Sequence, residues 1–261
     1  MAKPFIVNFH EHPSPSAEAA NREMGVDFTV LLPVGQHNSL LARQMAHDQP
    51  DRFAAFHWVD VEKEPAEEAS RLRRAAALWH VRGVKFQPMD QHLYPGDRRL
   101  YPIYEVCEEL GLMVTWHAGV VSLGKWMYEM GVPMLAAYCD PIQLDQVAFD
   151  FPDLRIGIAH LGGNYMYNAL VLAEKHDNIY VDTAFLGFFA PRFFPPSTPS
   201  ALITHAVRVA GPDKVLYGSE GVRPEEVLAA DISDEDKAKV LGLNAARLLG
   251  LCPGQTAGSA G

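Results

Sequence analysis

The sequence predicts an α/β fold, a single (β/α)8 TIM barrel, and three observations support this prediction. Short apolar or β-branched runs, each followed by a stretch with helical spacing, recur eight times, and such alternation is typical of a closed parallel sheet. The chain has 261 residues, the usual size for one such barrel. An open doubly wound sheet, the runner-up fold, would carry a glycine-rich phosphate loop after its first strand, and the sequence has none there.

The elements can be placed in chain order. Predicted strands cover the runs 5–7, 28–32, 53–59, 81–86, 112–116, 155–159, 179–181 and 214–217. Predicted helices lie between them, at 16–24, 39–49, 66–79, 101–110, 140–149, 164–176, 200–210 and 233–249. Asn38 is a suitable N-cap for the second helix, Pro65 opens the third, and Gly111 closes the fourth. We expect one domain over residues 1–252 and a flexible tail over 253–261, where small residues predominate.

Composition restricts the classes of function. The formal net charge of −10 argues against nucleic acid or an anionic membrane surface as the main partner. No apolar run approaches the ~20 residues that span a bilayer, and the first residues lack the apolar stretch of a secretory signal. The three cysteines are widely spaced, which predicts reduced thiols. We therefore expect a cytoplasmic protein with a small-molecule substrate, and a homodimer, since barrels of this size often pair.

Metal-ligating side chains follow four of the predicted strands. The first strand leads into His10-Glu11-His12, the fifth into His117, the sixth into His160 and the eighth into Glu220. The C-terminal ends of the strands carry the active site in such barrels, and side chains two apart on a strand share a face. Imidazole and carboxylate together suit zinc, iron or manganese. The pattern predicts a site for one or two divalent ions at this rim.

Motifs along nearly the whole chain strengthen this interpretation. They are Val7-Asn8-Phe9-His10-Glu11-His12, Gly83-Val84-Lys85-Phe86, Leu110-Gly111-Leu112, His117-Ala118-Gly119, Phe151-Pro152-Asp153-Leu154, His160-Leu161-Gly162-Gly163, Gly218-Ser219-Glu220 and Asn244-Ala245-Ala246-Arg247-Leu248-Leu249. In these segments the chain resembles the amidohydrolase-2 family, which includes aminocarboxymuconate semialdehyde decarboxylase and related hydrolases and hydratases. The resemblance implies a metal-dependent barrel.

The same resemblance implies roles for individual residues. His10, His12, His117 and His160 occupy the family's metal or metal-adjacent places, and Glu220 occupies the place of its metal-binding, proton-handling aspartate.

Three residues depart from the family pattern. Glu220 stands where the family has aspartate, and its longer side chain can chelate or bridge two metals. Glu11 stands between the two histidines, where it either becomes a metal ligand at a bend or accepts hydrogen bonds from its neighbours. Gln87 stands where the family often has a histidine.

Further residues are candidates for contact with substrate. His57 is predicted to lie near the end of the third strand, close enough to touch substrate or metal. Lys85 and Gln87 follow the fourth strand; Lys85 is a candidate substrate cation, a carboxylated bridging ligand or the partner of a nearby carboxylate. Arg223 either anchors an anionic substrate or is a solvated surface residue. Phe188 belongs to the apolar run 185–196, which predicts a lid over the mouth, a dimer contact or barrel packing.

Two reaction classes fit these residues. The first is hydrolysis by a metal-activated water, or a related decarboxylation, of a small organic acid, lactone or amide, with Glu220 moving the proton and His160 stabilising developing negative charge. The alternative is a diiron monooxygenase, because Glu11 and Glu220 make the site rich enough in oxygen ligands to hold paired iron ions. A branch of barrel enzymes similar to the amidohydrolases contains such oxygenases, and resemblance to it implies hydroxylation of a bulky hydrophobic substrate, free or linked to coenzyme A. A barrel that only binds a ligand is a third hypothesis, which the complete histidine set disfavours.

Overall fold

Eight parallel strands form one sheet in the order β1 to β8. The computed structural model describes residues 3–120 and 135–252. The strands are β1 Val7–Glu11, β2 Phe28–Leu31, β3 Phe53–Trp58, β4 Gly83–Phe86, β5 Met113–Trp116, β6 Arg155–Ile158, β7 Ile179–Asp182 and β8 Val215–Leu216. The predicted (β/α)8 barrel is confirmed. The predicted tail, 253–261, lies outside the described residues.

The sheet closes on itself where β8 meets β1. The backbone N–H of Phe9 donates to the carbonyl of Tyr217 at 2.7 Å. Inside the barrel, Phe9 packs against Phe56 and forms an apolar cluster with Met113 and Leu216. This cluster fills the lower part of the barrel, so the open C-terminal rim is the end that can admit a ligand.

The helices lie outside the sheet and follow the predicted order. The main ones are α1 Ala17–Glu23, α2 Gln36–Asp48 and α3 Pro65–Trp79, followed by Tyr101–Leu110, Leu144–Asp150, Met166–Lys175, Pro199–Ala210 and Asn244–Leu249. Shorter helices occupy Pro88–Gln91, Leu186–Phe189, Pro224–Leu228 and Asp234–Ala238. Across the described ranges, no helix combines the length and apolarity needed to cross a membrane.

Two elements differ from the prediction for identifiable reasons. The first strand extends to Glu11, whereas the prediction ended it at Val7. The prediction stopped short because Asn8, His10 and Glu11 are polar, and the apolar pattern of a buried strand ends before them. The last predicted helix is interrupted by a π-helical turn at Lys239–Leu243. Gly242 lies in this turn against the backbone of Phe5, where an added Cβ would lie 2.2 Å from the Phe5 carbonyl oxygen, so the helix passes close to the first strand only through glycine.

Candidate functional site

The histidines that end three different strands converge at the rim. The ring centroids of His10 and His160 are 4.9 Å apart, and those of His117 and His160 are 4.8 Å apart. His12 lies beside His10, with 5.6 Å between ring centroids. Residues separated by as many as 150 positions therefore meet at one point, as the sequence predicts.

A β-bulge in β1 directs His10 into the barrel. Asn8 pairs with Thr29, but the next paired residue is Glu11, opposite Leu31, so β1 carries one residue more than β2 between these pairs. The additional residue lets Phe9 and His10 both turn inward, where a regular strand would place them on opposite faces. Asn8 and Glu11 consequently turn outward.

Asp182, at the end of β7, holds His10 in one tautomer. Its Oδ2 lies 2.8 Å from His10 Nδ1, which donates, while its Oδ1 accepts the backbone N–H groups of His160 at 2.9 Å and Ala184 at 3.0 Å. Burial raises the pKa of Asp182, but His10 and His160 outweigh this effect and hold the pKa below its ordinary value. Asp182 is thus a buried carboxylate that leaves the Nε2 lone pair of His10 directed away from it.

Glu220 brings a second carboxylate to the same point. Its Oε1 lies 2.9 Å from His12 Nε2, and its Oε2 lies 3.7 Å from His10 Nε2 and 3.5 Å from His160 Nδ1. His10, His160 and Glu220 each offer a ligand atom within 4.8 Å of the others. Burial raises the pKa of Glu220, yet these histidines hold it far below its ordinary value, so the group is ionised.

Two buried acceptor atoms in this group have no hydrogen-bond partner among the described residues. They are His10 Nε2 and Glu220 Oε2. Buried polar atoms are nearly always paired, because an unpaired one loses its interaction with water. Two acceptors that face one another without a donor fit a divalent cation, and imidazole with carboxylate is a ligand set for zinc, iron or manganese.

His117 and His160 form a second pair of facing ring nitrogens. His117 Nδ1 lies 3.1 Å from His160 Nε2, while the other nitrogen of each ring faces a backbone carbonyl, of Gly119 at 3.1 Å and of Ala184 at 3.0 Å. Burial lowers the pKa of His160 to about 4 and that of His117 well below its usual value, so both rings are neutral at pH 7. A neutral imidazole has one N–H, and if each donates to its carbonyl, two lone pairs face each other. A cation nearby would relieve this arrangement.

The backbone is strained where these side chains leave their strands. His160 has φ +61° and Glu220 has φ +38°, both in the left-handed region that residues with a Cβ rarely occupy. Gly163 follows close behind, and a Cβ there would lie 2.7 Å from the Cα of Gly119. The loops after β5 and β6 therefore pass each other in contact, which brings His117 and His160 together.

Lys85 lies on β4 and is fully buried. Its Nζ has no hydrogen-bond partner among the described residues. Burial lowers its pKa to about 8, although the charges of Asp182 and Glu220 act in the opposite direction. Lys85 is thus a buried amine that interacts electrostatically with the carboxylates of Asp182 and Glu220.

Aromatic side chains from the loop after β7 cover His160. The ring centroids of Phe185 and Phe189 lie 6.0 Å and 6.1 Å from that of His160. Phe188 is stacked on Phe185 at 4.9 Å, and its other face receives the guanidinium of Arg192 at 3.6 Å. Of the phenylalanines in this loop, Phe185 and Phe189, rather than Phe188, therefore lie next to a site histidine.

The structure corrects the prediction for His57. Its ring points out of the barrel into the layer of α2 and α3, where Nε2 lies 2.7 Å from Glu68 Oε1 and Nδ1 contacts the guanidinium of Arg43. Arg71 donates to the other oxygen of Glu68 at 3.0 Å. We call His57, Glu68, Arg43 and Arg71 the helix-layer cluster. The prediction failed because His57 is on the outer face of β3, whereas Trp58 follows on the inner one.

The surroundings of three other predicted site residues are also visible in the structure. The carboxylate of Glu11 accepts four hydrogen bonds from neighbouring groups and is absent from the group of converging ligands, so its role as a metal ligand is not supported. Arg223 is exposed and paired with Glu225 at 3.3 Å, which favours the surface interpretation. Gln87 occupies the N-cap position of the helix Pro88–Gln91 without a side-chain capping bond, and its half-buried side chain makes no hydrogen bond to a described residue, so its contact with substrate stays a prediction.

Sequence reasoning missed two kinds of residue. Asp182 could have been predicted, because it places a carboxylate at the end of the seventh strand, on the same rim as the histidines. Asn8, Asn21 and Ser219 form a buried polar network behind Glu11, but nothing in the spacing of these small polar residues indicates that they meet.

Comparisons with known proteins identify the family and support the fold. The sequence profile of a family described as amidohydrolase matches residues 13–251. A sequence comparison with curated proteins finds no match.

Solved structures share the fold. An uncharacterized TIM-barrel protein from Bordetella bronchiseptica has a TM-score of 0.74 at 20% identity, with 94% of this chain and 98% of that one covered. 5-Carboxyvanillate decarboxylase from Sphingomonas paucimobilis has a TM-score of 0.66 at 18% identity, covering 91% and 83%. Dihydroxybenzoic acid decarboxylase from Polaromonas sp. JS666, with bound manganese and the inhibitor 2-nitroresorcinol, has a TM-score of 0.69 at 16% identity, covering 95% and 97%. The match of the sequence profile to most of the chain, on this fold, establishes that the chain belongs to the amidohydrolase family.

Proposed function

We propose that this protein is a metal-dependent enzyme that decarboxylates a small organic acid at one divalent ion. The observation that carries the proposal is the pair of buried, unpartnered acceptors, His10 Nε2 and Glu220 Oε2. His10, His12, His117, His160 and Glu220 are the proposed ligand set, with Asp182 orienting His10. When bound, the ion would supply positive charge that anchors the substrate and polarises its oxygen atoms.

The buried amine of Lys85 supports an acid as the substrate. A protonated Lys85 in this low-dielectric position would attract a carboxylate far more strongly than an exposed lysine. Two structurally similar proteins are decarboxylases of aromatic acids, and one of them holds manganese. We therefore favour manganese and an aromatic or unsaturated carboxylate.

The chain's own residues account for the proton. In decarboxylation the bond between the carbon skeleton and the carboxyl group breaks, CO2 leaves, and the electron pair left on carbon takes up a proton. We propose that Glu220 passes a proton from water to this carbon through its Oε1, the oxygen that lies beside the partly exposed His12. Phe185 and Phe189 exclude water on the side of His160, and we propose that His160 stabilises the negative charge that develops.

Hydrolysis of a lactone or amide is the second candidate. It is favoured by the ionised state of Glu220, which suits a base that accepts a proton from water. The diiron alternative is not carried forward, because Glu11 is occupied by hydrogen bonds and the similar structures include decarboxylases.

Metal loading followed by substrate screening tests the proposal. Metal-free protein is reloaded with Mn²⁺, Zn²⁺ or Fe²⁺ and incubated with hydroxybenzoates and unsaturated dicarboxylates, with CO2 release as the readout. A parallel series of lactones and amides is followed by acid release. We expect CO2 from at least one acid in the Mn²⁺ protein and none from the same protein with Lys85→Met. Acid release alone would favour hydrolysis, and no turnover in either series would contradict both.

A further inference from the structure

A buried polar network lies directly behind the proposed ligands, between β1, β8 and α1. It consists of Asn8, Glu11, Asn21 and Ser219. Asn8, Asn21 and Ser219 are each at most 2% exposed. Asn8 Nδ2 lies 2.8 Å from both Asn21 Oδ1 and Ser219 Oγ, and its Oδ1 accepts the backbone N–H of Ser219 at 2.9 Å. The network therefore joins the start of the bulge in β1 to the residue that precedes Glu220.

Glu11 is the charged centre of this network. Its Oε2 accepts from Ser219 Oγ at 3.2 Å, Asn21 Nδ2 at 3.2 Å and Asn8 Nδ2 at 3.3 Å. Its Oε1 accepts the backbone N–H of His12 at 3.0 Å. Among the described residues all its partners are neutral donors, an arrangement that stabilises a carboxylate by hydrogen bonds rather than by an ion pair.

The position of Glu11 in the chain gives these bonds a consequence for the site. Glu11 lies between His10 and His12, and its partner Ser219 precedes Glu220. The bulge that turns His10 inward is bounded by Asn8 and Glu11, which are both held by the network. Glu220 has φ +38°, so its strained backbone needs support from neighbours. One carboxylate is thus bonded to the flanks of three proposed ligands.

We propose that Glu11 is a positioning residue that fixes the relative places of His10, His12 and Glu220 without binding the ion itself. This inference rests on the proposed function, because it assumes that these side chains hold a cation. It also accounts for a glutamate at a position where the family usually has a small or neutral residue. On the outer face of β1 the Glu11 carboxylate accepts hydrogen bonds from Asn21 in α1 and from Ser219, which follows β8.

Mn²⁺ affinity tests the proposal without any substrate. The dissociation constant is measured from the electron paramagnetic resonance signal of free Mn²⁺ for the wild type, Glu11→Gln, Ser219→Ala and their double variant. Glu11→Gln keeps the shape of the side chain but places an NH2 group opposite at least one hydrogen-bond donor of the network. Ser219→Ala removes one donor to Glu11 and leaves the charge unchanged. We expect roughly 10–100-fold weaker binding for Glu11→Gln, the range found for partners of metal ligands. Ser219→Ala should weaken binding by less, and the double variant should be less impaired than the product of the two single effects.

Glu23→Gln is the matched control. Glu23 is exposed at the end of α1, so this change removes the same charge outside the network and should leave Mn²⁺ affinity unchanged. Thermal unfolding of the metal-free variants separates loss of folding from loss of positioning, and Ser219→Ala provides the readout if Glu11→Gln does not fold.

Each outcome has a defined meaning. Wild-type protein that binds Mn²⁺ while Glu11→Gln and Ser219→Ala bind it equally well would overturn the positioning role and leave the proposed function intact. Wild-type protein that does not bind Mn²⁺ would overturn both. A crystal of the Mn²⁺ complex with the ion bonded to Glu11 would make Glu11 a ligand and also overturn the proposal.

Discussion

In the part of the chain that the structure describes, two buried groups combine histidine with carboxylate, and they differ in which polar atoms they leave unpaired. At the rim, His10 lies 2.8 Å from Asp182, and in the helix-layer cluster His57 lies 2.7 Å from Glu68. Both pairs are almost fully buried. The second nitrogen of His57 contacts Arg43, whereas the second nitrogen of His10 has no partner among the described residues.

This difference separates a structural cluster from a candidate binding site. In the helix-layer cluster every ring nitrogen and carboxylate oxygen of His57 and Glu68 is used within the protein, so its contribution is to hold α2 and α3 against β3. At the rim, the hydrogen bond from Asp182 orients the His10 ring, but His10 Nε2 has no hydrogen-bond partner among the described residues. Burial and a short hydrogen bond are common to both groups, so the unpaired acceptors are the better indicator of function.

The largest effect is expected from Glu220→Gln. Loss of both a ligand charge and a proton carrier should lower kcat/KM by about 10³-fold or more. Glu68→Gln, the equivalent change in the helix-layer cluster, should leave kcat/KM of the folded fraction near the wild-type value. Steady-state kinetics on the substrate identified by CO2 or acid release makes the measurement. Comparable activity losses in the two variants would remove the distinction between the two clusters.

The helix-layer cluster should respond in stability instead. Glu68→Gln removes the buried carboxylate that pairs with His57 and Arg71, and breaking a buried pair of this kind costs roughly 3–5 kcal/mol of unfolding free energy. Urea denaturation of the metal-free proteins measures this loss. If Glu68→Gln weakened Mn²⁺ binding but not folding, the cluster would belong to the site.

Lys85 gives the rim a dependence on pH. Because the folded protein lowers the pKa of Lys85 from 10.5 to about 8, the unfolded chain binds its proton more tightly, and the unfolding free energy should rise as pH increases from 8 to 10.5. The expected gain is about 3 kcal/mol. Denaturation of the wild type and Lys85→Met across this range measures it, with exposed Lys3→Met as the control. A rise that persists in Lys85→Met would have another source.

The smallest effect is expected from Asp182→Asn. The amide preserves the shape of the side chain but weakens its hold on His10 Nδ1, and changes in such partners typically reduce metal affinity by roughly 10–100-fold. Titration with Mn²⁺ at fixed pH measures the change. Unaltered affinity would mean that Asp182 has no part in orienting the ligand.

Much of the fold could be predicted from sequence, because strand–helix alternation is local information. The helix at Tyr101–Leu110 was predicted at its observed bounds, since Gly111 adopts the left-handed conformation that ends it. The bulge in β1 was not predictable, because an additional residue relative to β2 depends on a partner strand that the local pattern does not show.

Most of the site residues could also be predicted from their positions in the chain. Which of their polar atoms have hydrogen-bond partners could not be predicted in this way. His10, His12, His117, His160 and Glu220 were placed at one rim because parallel strands end on the same side. His57 also lies on a strand, and only its contacts with Arg43 and Glu68 show that it faces the helices. Which ring nitrogens remain unpaired depends on contacts between distant segments, and the sequence does not encode these locally.

Locating Mn²⁺ by anomalous diffraction from a crystal of the loaded protein tests the central claim most directly. The account predicts one strong peak per chain, within bonding distance of His10 Nε2 and Glu220 Oε2. A crystal grown with saturating Mn²⁺ that shows no peak at the rim, or shows the ion in the helix-layer cluster, would contradict it.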